Sequence, residues 1–270
     1  MNFAVDTVAK ELLSEGFQVY IVGGAVRDKY MNRRASDVDL ASNATPQEML
    51  DLFSSKNYTI VNIGAEFGTV AVIIDKEQVE ITTYRRDVKT DGRKVEVEFA
   101  TTIEEDLARR DFTINTLAIN YSTGDLLDLF NGIDDIKNRI VRAVGDPYKR
   151  FFEDHLRMLR ACRFTALDLY VTIEPSTFDA IQDYSLYIHT TSGGKVTAER
   201  QRQELLKGMS YPFPSNMIES MRKTGLLKHV LPEVYNTVGV TQNKHHNIYR
   251  HKTTGQFYVK ANDGSFTLLG

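Results

Sequence analysis

Hydrophobic residues in the first fifteen positions recur at a helical spacing. Val5, Val8, Ala9 and Leu12 stand at i, i+3, i+4 and i+7, which predicts an amphipathic helix over residues 2–15, closed by Gly16. The pattern then shortens to a β-rich run at 17–22 that ends in Gly23-Gly24, and residues 25–30 return to a short helix. A second strand is predicted at 38–41. Thr45-Pro46-Gln47-Glu48 opens another helix, with proline in its first turn. Runs at 58–63, 68–74 and 78–83 read as three further strands, and 112–120 as a strand-like run. Residues 84–99 begin as a charged loop containing Asp91-Gly92 and end in alternating valines.

After Pro147 the character changes. Residues 148–168, 175–185, 196–209 and 214–224 carry helical patterning with almost no strand signal between them. The chain therefore reads as α+β: a mixed-sheet region over 1–145, a helical neck over 146–210, and a further part over 211–270. Residues 241–270 are polar and weakly patterned, and no element is predicted there.

Composition adds bounds. With 270 residues, 42% apolar and 26% charged, the chain can bury a substantial core and does not read as disordered. A net charge of −3 excludes a uniformly basic surface but leaves room for local basic stripes. The one cysteine, Cys162, excludes an internal disulfide framework and a thiolate metal cluster; it reads as a core helix position and fits a reducing cytoplasm. No run approaches the ~18 apolar residues of a spanning helix, and the N-terminus lacks the basic-then-apolar order of a signal peptide. The oligomeric state is left open.

The sharpest chemical feature is Ser36-Asp37-Val38-Asp39-Leu40. On a strand, Asp37 and Asp39 point to the same face, and two carboxylates so placed repel unless a cation lies between them. Mg²⁺ is the natural cation, a hard ion held by one or two carboxylates together with substrate phosphates. Two such ions ~3.5–4 Å apart form the usual clamp for in-line phosphoryl transfer. An isolated Asp-x-Asp also occurs on solvated edge strands, so the pair takes its meaning from its neighbours.

One neighbour is Val22-Gly23-Gly24-Ala25-Val26-Arg27-Asp28, a strand turning into a helix. Glycines let the backbone approach a phosphate, a helix N-terminus favours anions, and Arg27 offers a charge-assisted contact. The spacing matches neither a dinucleotide fingerprint nor a P-loop. The other neighbour is 151–164. Read as one helix, it sets Asp154, Arg157, Glu153, Arg160 and Arg163 on one half and Phe151, Met158, Leu159 and Cys162 on the other. Such a face could be a solvated row of ion pairs. Three arginines without a lysine also suit base edges and phosphates, and an Asp with an Arg can mimic a Watson–Crick edge.

Together these segments resemble the class II tRNA nucleotidyltransferase (CCA-adding enzyme) and bacterial poly(A) polymerase family. Five ordered motifs carry the resemblance. The first runs from Gly23-Gly24-Ala25-Val26-Arg27-Asp28 to Asp37-Val38-Asp39-Leu40-Ala41-Ser42-Asn43-Ala44-Thr45-Pro46. The second is Glu105-Asp106-Leu107-Ala108-Arg109-Arg110-Asp111-Phe112-Thr113-Ile114-Asn115. The third joins Asp128-Leu129-Phe130-Asn131-Gly132 to Val144-Gly145-Asp146-Pro147. The fourth is Glu153 to Phe164, and the fifth Glu199-Arg200-Gln201-Arg202-Gln203-Glu204-Leu205-Leu206.

The resemblance implies a nucleotidyltransferase head, a helical neck and a partial body whose tail is short or truncated at Gly270. It implies template-independent addition of C, C and A to a tRNA 3′ end from CTP and ATP, with Mg²⁺ on Asp37 and Asp39. Gly24 and Arg27 would touch the triphosphate. Arg110 and Asp111 would contact sugar and phosphates. Asp154 and Arg157 would read the base, with Arg160 and Arg163 in support. Residues 84–99 correspond to the family's flexible loop, linked to the switch from C to A addition; here it is short and lacks the usual proline. Residues 242–251 are similar to the entry of a His-Asp phosphohydrolase domain, but no His-Asp pair follows, and the six histidines read as surface or core residues. The alternatives are poly(A) synthesis, partial CC or A addition, or an RNA-binding module without activity.

Overall fold

The structure, a computed structural model, describes residues 3–34, 37–64, 68–89, 95–190, 196–237, 247–250, 257–260 and 266–268. The chain divides into two compact units, Met1–Leu226 and Leu227–Gly270.

The first unit begins with α1 (Phe3–Ser14), β1 (Val19–Val22), α2 (Gly24–Tyr30), β2 (Asp39–Ser42) and α3 (Pro46–Ser55). Next come β3 (Thr59–Gly64), β4 (Thr69–Ile74), β5 (Glu77–Thr83), β6 (Arg85–Lys89), β7 (Val95–Phe99) and α4 (Ile103–Ala108). After a 3-10 turn at Thr113–Asn115 follow β8 (Ala118–Asn120), β9 (Leu126–Leu127), α5 (Gly132–Asn138) and β10 (Ile140–Val141). The helical part holds α6 (Pro147–Glu153), α7 (Leu156–Phe164), α8 (Pro175–Tyr184), α9 (Ala198–Met209) and α10 (Pro214–Lys223), with β11 (Thr172–Ile173) pairing β10.

Seven strands form one mixed sheet in the order β3-β4-β5-β2-β1-β8-β9. Only β2 and β5 run parallel; α3 and the β3–β4 hairpin make the crossover between them. The predicted α1 stripe is real: Val5, Val8, Ala9 and Leu12 are buried against Leu40, Met49, Phe53, Val70 and Ile81. Truncating a fully buried leucine such as Leu40 to alanine would cost ~2–5 kcal/mol. On the other face Val22, Ala41, Tyr84, Ile103, Leu107 and Ala118 form a second cluster. α3 starts as its sequence foretold: Thr45 and Glu48 complete a capping box, with Pro46 in the first turn.

Three readings need correction. Residues 84–99 are not a loop at their start, because Arg85–Lys89 pairs antiparallel with Val95–Phe99 as a two-stranded ribbon. Asp91 and Gly92 lie outside the described residues. The strand-like run 112–120 is broken, since Thr113–Asn115 turns and only Ala118–Asn120 pairs with β1. The helix predicted over 148–168 is two helices. Asp154 is extended (φ −152, ψ 104) and its Oδ1 accepts the Leu156 N–H at 3.1 Å, an aspartate competing with the helical backbone for its hydrogen bonds.

The second unit holds α11 (Leu227–Val230), α12 (Pro232–Asn236) and an antiparallel sheet of β12 (Asn247–Arg250), β13 (Phe257–Lys260) and β14 (Phe266–Leu268), where the sequence had suggested no element. His245, His246 and His251 lie outside the described residues. Among the described residues no helix is long and apolar enough to cross a membrane.

Candidate active site

The register of β1 and β2 sets the site. Val22 pairs with Asp39, so the glycine turn after β1 and the first residue of β2 share one edge of the sheet. Gly23 holds φ +68, a left-handed conformation that disfavours side chains, and an added Cβ would come 3.0 Å from an Arg110 guanidinium nitrogen. Gly24 then opens α2. In the parallel pair, Leu40 lies opposite Ile81 and both are core, so the preceding Asp39 and Glu80 share the other face. Glu80 is thus a carboxylate beside Asp39 that the sequence reading missed; strand pairing, not sequence spacing, brings it there.

A cleft of about 700 Å³ opens at this edge. Its walls include Gly24, Arg27, Asp39, Arg110, Asp111, Asp154, Arg157, Arg160 and Arg163. Every predicted site residue except Asp37 lines it. β2 begins only at Asp39, so strand geometry does not fix Asp37, which is exposed before it. The two aspartates still feel each other. Burial raises the Asp39 carboxyl above the usual range, the charges of Glu80 and Asp37 push the same way, and Arg110 and Lys207 oppose them. The side chain opens into the cleft while protein surrounds the rest of it. Among the described residues no three His, Cys, Asp or Glu side chains converge as a ready-made metal cage.

Nine cationic side chains face six carboxylates in the cleft, so a chain of net negative charge concentrates positive charge here. Most are held by defined partners. Arg27 is buried and donates to Asn115 Oδ1 at 2.8 Å and to Asp28. Asn115 passes the order on, donating to Asp111 Oδ1 at 3.0 Å. Arg110 donates to buried Asp106 at 2.9 Å. Arg160 reaches Asp111 at 2.5 Å and Glu204 at 3.3 Å. Burial opposes the Arg160 charge, but Asp111 and Glu204 outweigh it and its pKa is raised. Burial also weighs on Asp111, yet Arg160 and Asn115 outweigh it and hold the carboxyl down at about 2.

The face of α7 divides its arginines by environment. Arg157 donates to Glu153 at 2.6 Å and to the Arg150 carbonyl at 3.0 Å. Arg163, expected in support of nucleotide binding, lines the cleft as a buried side chain, stacked 4.1 Å from the Phe164 ring centroid and ion-paired with Glu204 at 2.5 Å. Burial pulls its pKa below the usual arginine value although Glu204 acts against that, and an arginine so shifted remains charged. Asp154 accepts from Arg200 of α9 at 2.6 Å. Arg200, Glu204, Gln203 and Lys207 all reach the cleft from α9, where the fifth motif's i, i+4 and i+7 positions align on one side.

Residues 19–142 match the Poly A polymerase head domain family, and residues 171–237 match the family described as "Probable RNA and SrmB- binding site of polymerase A". The chain belongs to the CCA-adding enzyme and poly(A) polymerase family. It is 43% identical over 194 residues to the CCA-adding enzyme of Enterococcus faecalis, covering 71% of this chain and 46% of that one. Its fold superposes on the Bacillus stearothermophilus CCA-adding enzyme in complex with CTP with a TM-score of 0.71 at 33% identity, over 84% of this chain and 53% of that one. A tRNA nucleotidyltransferase complexed with a primer tRNA and an incoming ATP analog gives a TM-score of 0.67 at 26% identity, over 87% and 71% of the two chains. The chain spans about half the length of the curated relatives it matches.

Proposed function

We propose that this chain carries the catalytic part of a template-independent nucleotidyltransferase that adds C, C and A to a tRNA 3′ end from CTP and ATP, releasing pyrophosphate. One observation carries the reading: Asp154 and Arg157, the pair suited to a base edge, open into the same cleft as Asp39 and the Gly23-Gly24 turn. Relatives with bound CTP and with primer tRNA and an ATP analog support it. We read residues 1–145 as the catalytic head, 146–210 as the neck with the recognition helix, and 211–270 as part of the body. A cytoplasmic site of action belongs to the same reading; buried Cys162, its thiol pushed up to about 12 by burial, is no redox handle.

In this reading the donor set fits a divalent cation, Mg²⁺, because Asp39 is crowded by the charges of Glu80 and Asp37, and one or two carboxylates suffice for an ion that also takes substrate phosphates and waters. Asp37 and Asp39 would hold it. Bound there, Mg²⁺ supplies Lewis-acid stabilisation of the triphosphate and of the attacking hydroxyl. The chain's own residues do the rest. The Gly23–Gly24 backbone and Arg27 receive the triphosphate, and Arg110 with Asp111 fixes the sugar side. Asp154 accepts from a base amino group, while Arg157 donates to a ring acceptor. Arg160 and Glu204 keep Asp111 and Arg163 in place. Selection without a template then follows from the fixed order of the Asp154 acceptor, in the break before α7, and the Arg157 donor in its first turn.

Incubating tRNA that lacks its CCA end with labelled CTP and ATP, then sequencing the product, tests this. Ordered C, C and A addition is expected. Repeated AMP addition without CTP would make it a poly(A) polymerase, C-only or A-only products a partial enzyme, and tight tRNA binding without incorporation an RNA-binding module.

A further inference from the structure

Beyond the cleft, a second groove of about 440 Å³ is lined by Met31, Arg33, Arg34, Leu167, Asp168, Pro212 and Phe213. It adjoins the cleft through Tyr211. That ring lies 5.6 Å from the Arg163 guanidinium, a cleft residue, and 5.7 Å from that of Arg33, a groove residue. The chain reaches the groove directly from the site: α2, which carries Arg27, ends at Tyr30, and Arg33 and Arg34 precede the aspartates.

Its charge is uncompensated. Arg33 is oriented by the Leu167 carbonyl, and its own amide donates to the Asp28 carbonyl at 2.8 Å. Arg34 is exposed, and among the described residues no acid pairs with it. Asp168, the carboxylate of this lining, is engaged by Arg139 at 3.3 Å and by the Leu169 amide. The floor of Met31, Leu167, Pro212 and Phe213 is apolar. Two arginines beside apolar and partly aromatic lining residues, in a groove that adjoins the cleft through a ring, match what a flexible polyanion with flat bases needs. An acidic peptide would use the arginines but has no use for that floor.

We propose that this groove holds the single-stranded 3′ segment of the RNA just behind its terminal nucleotide, with Arg33 and Arg34 on backbone phosphates and a base against Pro212 and Phe213. The assignment rests on the nucleotidyltransferase reading and names where its acceptor lies. Tyr211 and Arg33 then form the passage by which the 3′ end enters the cleft.

The test uses the chain as it stands, a labelled single-stranded RNA ending in CC, and filter binding across a salt series, beside KM for RNA and for CTP. Arg34→Gln is expected to weaken RNA binding about fivefold and to reduce the salt slope by about 0.7, the loss of one phosphate contact on a single strand. Arg34→Glu should weaken it further. KM for CTP and the melting temperature should stay unchanged in both, since Arg34 lies outside the cleft and exposed. Arg33→Gln, checked by melting, should act in the same direction. Unchanged RNA affinity and slope in both Arg34 variants, with normal wild-type incorporation, would overturn the groove alone. A wild type that neither binds RNA nor incorporates nucleotide would overturn the groove and the nucleotidyltransferase reading together. Arg34-dependent binding of a polyglutamate peptide, with RNA unaffected, would assign the groove to a protein partner instead.

Discussion

Arg200 of α9 donates to Asp154 Oδ2 at 2.6 Å, while Asp154 Oδ1 accepts the first free amide of α7. One carboxylate is therefore pinned from two helices, and its direction in the cleft depends on a residue 46 positions away. The pair is partly exposed, 44% and 26% for the two side chains, so its own contribution to stability is ~0–1 kcal/mol. Arg200→Ala should leave the unfolding midpoint nearly unchanged and lower kcat/KM for CTP about fivefold, the kinetic equivalent of ~1 kcal/mol. Arg200→Lys should recover part of it. Steady-state kinetics with each triphosphate, beside a thermal melt, checks this; lost stability with intact kinetics would make Arg200 a merely structural residue.

The two glycines of the turn should separate structure from chemistry. Gly23 sits at φ +68 against Arg110, so Gly23→Ala strains the backbone and crowds that guanidinium. A loss of ~1–2 kcal/mol is expected. Gly24 is the first helical residue, and a Cβ there meets only an Arg27 nitrogen at 3.6 Å, an ordinary contact. Gly24→Ala should fold as well as the parent, yet bind triphosphate more weakly if the backbone approaches a phosphate there. Urea unfolding and CTP affinity on both variants distinguish the outcomes; equal affinity in Gly24→Ala and the parent would remove the turn from the triphosphate site.

Much of this was legible beforehand, and the reasons differ by element. The α1 stripe and the alternating strands were readable because burial on one face imposes a period, and Thr45 to Glu48 because a cap has a local signature. The cleft residues were readable because their motifs are contiguous. Glu80 was not, since only the β2–β5 pairing brings it beside Asp39. Asn115 stood within a motif without a role, because its bridge from Arg27 to Asp111 spans 88 positions on one side. The break at Asp154 was missed because 148–168 is apolar at helical spacing on both sides of it. There a single side-chain hydrogen bond overrides the periodicity. The burial of Arg163 was not legible for the related reason that helical spacing gives a direction but not what packs against it.

The charge of Asp39 is held against its surroundings. Burial and two neighbouring acids act against its charge. Asp39→Asn relieves that repulsion without disturbing Leu40, which carries the β2 core contact. The variant should melt at the parent's temperature or slightly above it and, if Asp39 holds the metal as proposed, lose more than ~100-fold in CTP incorporation. Incorporation within a few-fold of the parent would remove Asp39 from the chemistry.

Asp111 supplies a pH signature of the network. Burial alone would raise its carboxyl, but Arg160 and Asn115 hold it at about 2, below the ordinary value of 3.8. A folded-state pKa that is depressed contributes stability above the unfolded value and loses it as pH falls through the folded one. The contribution is roughly 2 kcal/mol, fully present above about pH 4 and lost toward pH 2. Asp111→Asn lacks this titration. It should be less stable than the parent at pH 7, because Arg160 then has only Glu204, and the gap should narrow as the pH is lowered from 5 to 2.5. Urea midpoints for both proteins across that range measure it. Parallel curves, with a constant gap at every pH, would mean that Asp111 is not the carboxylate that the Arg160 charge holds ionised.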